Sequence, residues 1–113
     1  MPRMLAPLFS EILTEIEFIR ISTHAHTLQT FTSDGLVRRA VERALLTISE
    51  AVKHIPDNVL ASQPHIPWKS IRGMGNMLRH EYHKIAPSVV WDVIQHHLKS
   101  LEKATQEMQS VNL

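Results

Sequence analysis

The sequence predicts an all-α fold, an up-and-down four-helix bundle with a short extra turn between its second and third helices. Three observations predict it. Apolar residues recur at three- and four-residue spacing in four long stretches, no stretch alternates apolar and polar residues as a strand would, and prolines fall at the boundaries between the stretches. The chain has 113 residues, enough for one modest core and too few for two, so residues 1–113 read as a single domain.

The first helical pattern runs from about Leu8 to about Thr23, with Leu8, Phe9, Ile12, Leu13, Ile16 and Ile19 on one face. Pro7 suits a helix start, where its missing N–H costs nothing. Thr23 to Thr27 is either the fraying end of that helix or its continuation. Phe31-Thr32-Ser33-Asp34-Gly35 combines capping oxygens with a turn residue and marks a break.

The second helix begins at Ser33 or Asp34 and runs to about Ile55, before Pro56. Leu36, Ala40, Ala44, Leu45, Ile48, Ala51, Val52 and Ile55 form its stripe, and Val37 and Val41 broaden it toward a second neighbour. Lys53 and His54 lie in its last turn, where cations complement the helix dipole.

Three prolines punctuate residues 56–67, leaving room for one short turn at Asp57 to Ser62. The third helix starts near Pro67-Trp68, with Trp68, Ile71, Met74 and Leu78 inward and Met77 also at core spacing. Pro87 and Ser88 mark the next boundary, with Ser88 as the expected N-cap. Val89, Val90, Val93, Ile94, His97, Leu98 and Leu101 form the fourth stripe, with His97 expected as a hydrogen-bonded core histidine. Trp91 is a packing residue or lies at a subunit interface, and fraying is expected after about Met108.

Composition narrows the function classes. Hydrophobic residues make up 43% and charged ones 20%, as in ordinary globular proteins. No apolar run approaches the roughly 20 residues that span a bilayer, and Met1 to Pro7 lacks a signal-peptide pattern. A cytoplasmic protein with no membrane association is expected. There are no cysteines, which excludes disulfides, thiolate zinc sites and thiol catalysis. Formal charge is +1, so any nucleic-acid binding must rest on a local basic site rather than on the whole-molecule field. Eight histidines are many for this length, and their charge rises as pH falls through about 6.5.

Candidate chemistry gathers between Ile71 and Ile85, which holds two of the three glycines, Arg72, Arg79, His80, His83 and the only tyrosine, Tyr82. On a helix Arg72, Asn76 and His80 follow one another at i, i+4 and i+8, while Arg79 points about 100° away from His80. Guanidinium groups bind phosphate oxygens with paired donors, and an imidazole exchanges a proton near neutral pH. Gly73 and Gly75 allow another backbone or a ligand to come close. The bland reading is a solvated helix end whose His, Arg and Glu serve as caps. His80 and His83 stand at i, i+3, but the sequence dictates no third ligand, so no metal site is assigned. His24 and His26 sit in an aperiodic segment and are expected to be exposed.

As a whole the chain resembles the HepT-like branch of the HEPN superfamily, the toxin halves of HepT–MntA toxin–antitoxin pairs. Ile12 to Arg20 (ILTEIEFIR) is similar to the first helix of that family, and Val37 to Glu50 (VRRAVERALLTISE) with Ala51 to the second. Ile66 to Met74 resembles the lead-in to the active stretch, Asn76 to Tyr82 the stretch itself, and Val89-Val90-Trp91 the start of the last helix.

The resemblance implies a four-helix HEPN bundle in a symmetric homodimer. Two copies of an Arg, four-to-six residues, His, any residue, Tyr motif would face each other across a basic cleft. That site would be a metal-independent ribonuclease acting on RNA without a cofactor. The implied partner is an MntA-like minimal nucleotidyltransferase antitoxin that transfers AMP to the motif tyrosine. By position His80 matches the catalytic histidine, Tyr82 the modified tyrosine and Asn76 the polar residue after the motif arginine. The arginine itself is missing, with Gly75 in its place. Arg72 lies with seven residues between it and His80, one more than the pattern allows, and Arg79 directly precedes it; either would have to reach the phosphate from a neighbouring turn. The alternative implied by that gap is a non-catalytic HEPN module that binds a nucleotidyltransferase partner or a nucleotide.

Overall fold

A computed structural model describes residues 4–112. Met1 to Arg3, part of the segment judged above for a leader pattern, lie outside the described residues. Among the described residues seven α-helices and one 3-10 turn follow in order: α1 Leu5–Thr23, α2 Leu28–Ser33, α3 Gly35–Lys53, α4 Asp57–Leu60, α5 Trp68–His80, the 3-10 turn Tyr82–Lys84, α6 Pro87–His96 and α7 Leu98–Val111. The expected four-helix bundle is present as α1, α3, α5 and the α6–α7 pair, and the expected short turn is α4. Helix α1 packs between α3 and α7, α5 packs on the far side of α3, and α6 leans on α2.

The α1 stripe is buried at Leu8, Phe9, Ile12, Ile16 and Ile19. Thr23 is buried on the same face and donates its hydroxyl to the Ile19 carbonyl at 2.7 Å, which removes the penalty for enclosing it. The aperiodic stretch after α1 resolves into α2. Thr27 accepts from the Thr30 N–H at 3.2 Å, and the Thr30 hydroxyl accepts from the Thr27 N–H at 2.9 Å, a reciprocal capping box. This cap presents Phe31, fully buried, to Trp91 of α6 with ring centroids 5.3 Å apart. Trp91 is therefore a packing residue within the chain. Replacing Thr27 by Ala should cost about 1 kcal/mol, read as a lower melting temperature with faster amide exchange at Thr30 and Phe31 than elsewhere.

Asp34 is the N-cap of α3, accepting from the Val37 N–H at 3.1 Å. Between α3 and α5, the Trp68 indole donates to the carbonyls of Leu60 and Gln63, each at 3.0 Å, and Gln63 donates to Glu107 of α7. These bonds hold the proline-rich connection against the bundle and set where α5 begins.

Several expectations give way to the structure. The cap of α6 is Ala86, not Ser88, because Pro87 takes the first helical position. The fourth helix breaks at His97, whose backbone leaves the α region. Its first half serves α2 and its second half serves α1, and one straight axis cannot do both. His97 is consequently exposed rather than a core residue, and sits 3.7 Å from an Asp92 oxygen. Helix α7 continues past Met108 to Val111. Leu36 is 82% exposed because it lies in the first turn of α3, beyond the reach of α1 and α5, and Val89 and Met77 also face outward.

Candidate functional site

Helix α5 positions the candidate residues. Its buried side is Gly75 and Leu78, with Ile71 and Met74 partly covered, and its open side carries Gly73, Asn76, Met77, Arg79 and His80. The helix stops at His80 because Glu81 turns to φ −139° and ψ 36°, its N–H still bonded to the Met77 carbonyl at 2.7 Å. Tyr82 then opens the 3-10 turn, 63% exposed, with its ring edge-on to His83 at 5.9 Å. His80 and Tyr82 thus stand together on the surface at the end of α5, neither used in packing.

Gly75 is a packing residue of α5. A Cβ there would stand 1.8 Å from Ser49 Oγ and 2.4 Å from Ser49 Cβ. The hydroxyl could rotate away, but the Cβ could not. Helices α3 and α5 therefore approach as closely as they do because this position has no side chain. Ser49 is buried, and its Oγ makes no hydrogen bond among the described residues. Gly73, by contrast, faces open space.

The two arginines go separate ways. Arg72 donates to Asp57 of α4 at 3.2 Å, near the start of α5. Eight residues of helix put it about 12 Å from His80 along the axis. Arg79 lies one turn beyond Gly75, at the solvent edge where α5 borders α3, and pairs there with Glu50. Both groups of that pair are a little over one-third exposed, so solvent screening keeps its net worth small. Arg43, Thr47 and Glu11 line the same depression, about 370 Å³ in volume. Burial raises the Glu15 carboxyl on α1, as does Glu11, while Arg43 pulls it back down. Burial likewise raises Glu42, against the pull of Arg38 and Arg39. Arginines of α3 thus contribute positive potential on both edges of the helix.

Sequence reasoning missed Glu50 and Arg43. They flank Thr47 and precede Lys53 on one polar edge of α3, a spacing visible in the sequence. That this edge borders α5 is a fact of packing. On the opposite side of α5 lies a cavity of about 360 Å³ walled by Leu45, Ile48, Ile71, Met74, Val93 and Leu101. Its lining has no carboxylate, lysine or arginine, so it is separate from the polar site. Among the described residues no group of three or more His, Asp or Glu could hold a metal ion. No helix among them is long and apolar enough to cross a membrane.

An all-α bundle whose third long helix ends at Arg79-His80, with Tyr82 exposed just beyond it, has the architecture of a HEPN domain. The family model described as ribonuclease HepT-like matches residues 12–108, and the chain belongs to that family. It is 33% identical to a protein of Caldanaerobacter subterraneus subsp. tengcongensis named as a candidate RNase, over 90% of this chain and 91% of that one. A candidate RNase of Methanocaldococcus jannaschii is 32% identical over 74% of this chain and 69% of its own. A protein of Thermococcus cleftensis named as a probable ribonuclease HepT is 33% identical over 81% of this chain and 84% of its own. No solved structure matches the chain significantly.

Proposed function

We propose that this protein is the toxin of a HepT–MntA-like toxin–antitoxin pair, a metal-independent RNA endonuclease that works as a symmetric homodimer. The observation that carries the reading is the joint exposure of His80 and Tyr82 at the end of α5, with Arg79 beside them, in a chain of the HepT-like ribonuclease family. Cleavage forms a bond between the 2′-oxygen and phosphorus and breaks the bond from phosphorus to the 5′-oxygen. A base takes the 2′-hydroxyl proton and an acid protonates the leaving 5′-oxygen. One protomer offers one His80, and two-fold symmetry supplies the other.

Charge on the pentavalent phosphate must be met by a cation. Arg79 is the arginine assigned to that work, because it adjoins His80 and lies on the same side of α5 as Gly75. Asn76, exposed one turn before His80, orients the strand. Tyr82 is the acceptor of AMP from an MntA-like nucleotidyltransferase; the adduct places a phosphodiester charge and an adenosine beside His80 and so opposes RNA by repulsion and bulk. The test is incubation of the purified protein with single-stranded RNA in excess chelator. Fragments ending in a cyclic phosphate are expected, and their absence until a divalent metal is added would sink the mechanism.

One observation favours a second reading. The motif arginine is replaced by a buried Gly75, and both neighbouring arginines are paired with carboxylates. A non-catalytic HEPN module that docks a nucleotidyltransferase would show no cleavage under any condition. It would still form the complex, with AMP detectable on Tyr82 by mass spectrometry.

A further inference from the structure

We propose that Lys53, His54 and Arg72 form a second phosphate subsite, which holds the RNA strand away from the scissile bond. The inference rests on the ribonuclease reading above and extends it to substrate binding.

Lys53 and His54 end α3, and Arg72 rises from the first half of α5. With Pro56 and Asp57 they line one open depression of about 470 Å³. Its charges are the two permanent cations, a histidine and a single carboxylate. That carboxylate is weakly held. The Asp57 side chain is 90% exposed and touches Arg72 through one oxygen at 3.2 Å. A surface pair of this kind contributes about 0–1 kcal/mol, so a phosphate can take its place. Among the described residues Arg72 makes one side-chain hydrogen bond, from Nη2 to Asp57. Its other terminal nitrogen, Nη1, therefore keeps donor capacity that a phosphate oxygen can use and that Asp57 leaves idle.

Position ties the depression to the chemistry. Arg72, Asn76 and His80 succeed one another along α5 at four-residue steps, and the first and last are about 12 Å apart along the axis. On α3, Lys53 lies three residues beyond Glu50, the partner of Arg79. A strand with its scissile phosphate between His80 and Arg79 can pass Asn76 and deliver a second phosphate to Lys53 and Arg72. The packing that makes Gly75 necessary also aligns these two edges, because it brings α3 and α5 together.

The experiment measures binding of a labelled 2′-O-methyl single-stranded RNA, which lacks the nucleophile and so binds without being cut. Fluorescence anisotropy is followed across a salt series in chelator. Each phosphate contact to a single strand contributes about 0.7 to the slope of log affinity against log salt. The double variant Lys53→Ala, Arg72→Ala, which empties this one phosphate site, should lose about 0.7 from that slope and bind more weakly. Asp57→Asn, which removes the competing carboxylate, should bind more tightly, a direction that loss of fold could not produce. Wild-type affinity and slope in the double variant, from a protein whose wild type binds the RNA, would overturn the subsite. Binding with the expected slopes but no cleavage of natural RNA would retain the subsite and sink the nuclease reading. A wild type that neither binds nor cuts RNA would remove both.

Discussion

An arginine at position 75, where the family resemblance implies one, should unfold this protein rather than activate it. The first atom of any side chain there meets Ser49 Oγ at 1.8 Å and Ser49 Cβ at 2.4 Å. Overpacking of a close helix–helix contact costs about 1–3 kcal/mol. A guanidinium forced between α3 and α5 adds several kcal/mol for a charge removed from water without a dedicated partner. Together these approach the whole stability of a small domain, about 5–15 kcal/mol. Gly75→Arg is therefore expected to lose cooperative thermal unfolding. Gly75→Ala isolates the steric part, since alanine by itself favours a helix over glycine by about 1 kcal/mol. It should nevertheless melt below the wild type. Ser49→Gly in the same chain should recover stability relative to Gly75→Ala alone, a coupling that a double-mutant cycle reads directly. Equal melting temperatures for Gly75→Ala and the wild type would show that the contact is looser than the structure has it.

The second large effect concerns the site, on the ribonuclease reading. His80→Ala should lower cleavage about 10²–10⁴-fold, the span of a lost general acid or base. Arg79→Ala should lower kcat about 10²–10³-fold, as when one group that stabilises transition-state charge is removed. Arg72→Ala should instead raise KM and flatten the salt dependence. This split separates a group that meets the reacting phosphate from one that holds the strand elsewhere. A larger fall in kcat for Arg72→Ala than for Arg79→Ala would reverse the assignment. Neither substitution touches the buried core, so helicity and melting should stay close to the wild type in both.

The absent arginine then has a physical explanation in this chain. A side chain at position 75 and the close approach of α3 to α5 are mutually exclusive. The chain has the close approach, and it carries an arginine one turn further along the same side, at position 79. Glu50 holds that arginine toward α3, which makes α3 part of the candidate site as well as of the core. Phosphate binding at Arg79 requires the Glu50 pair to loosen, and its partial exposure makes this inexpensive.

The helical class, the main helices and the stretch around His80 were all present in the sequence, because periodicity and proline placement are local signals. Ile12, Ile16 and Ile19 announce a buried face whatever they pack against. Thr27 and Thr30 were visible as hydroxyls, yet the short α2 escaped notice, since one turn of helix is decided by a cap and by the burial of Phe31 on Trp91. The break at His97 escaped for a related reason: the apolar stripe runs on through it, and only the two different neighbours of α6 and α7 force the bend. Gly75 shows the division most plainly. By itself the sequence determined that Gly75 stands where the family resemblance implies an arginine, with His80 and Tyr82 following at the implied spacing. Only the tertiary structure decided why it is a glycine, and that Arg79 pairs with Glu50 while Arg72 pairs with Asp57. Spacing along one helix fixes which residues share a side, but the distance between two helices depends on the side chains of both, and here on Ser49.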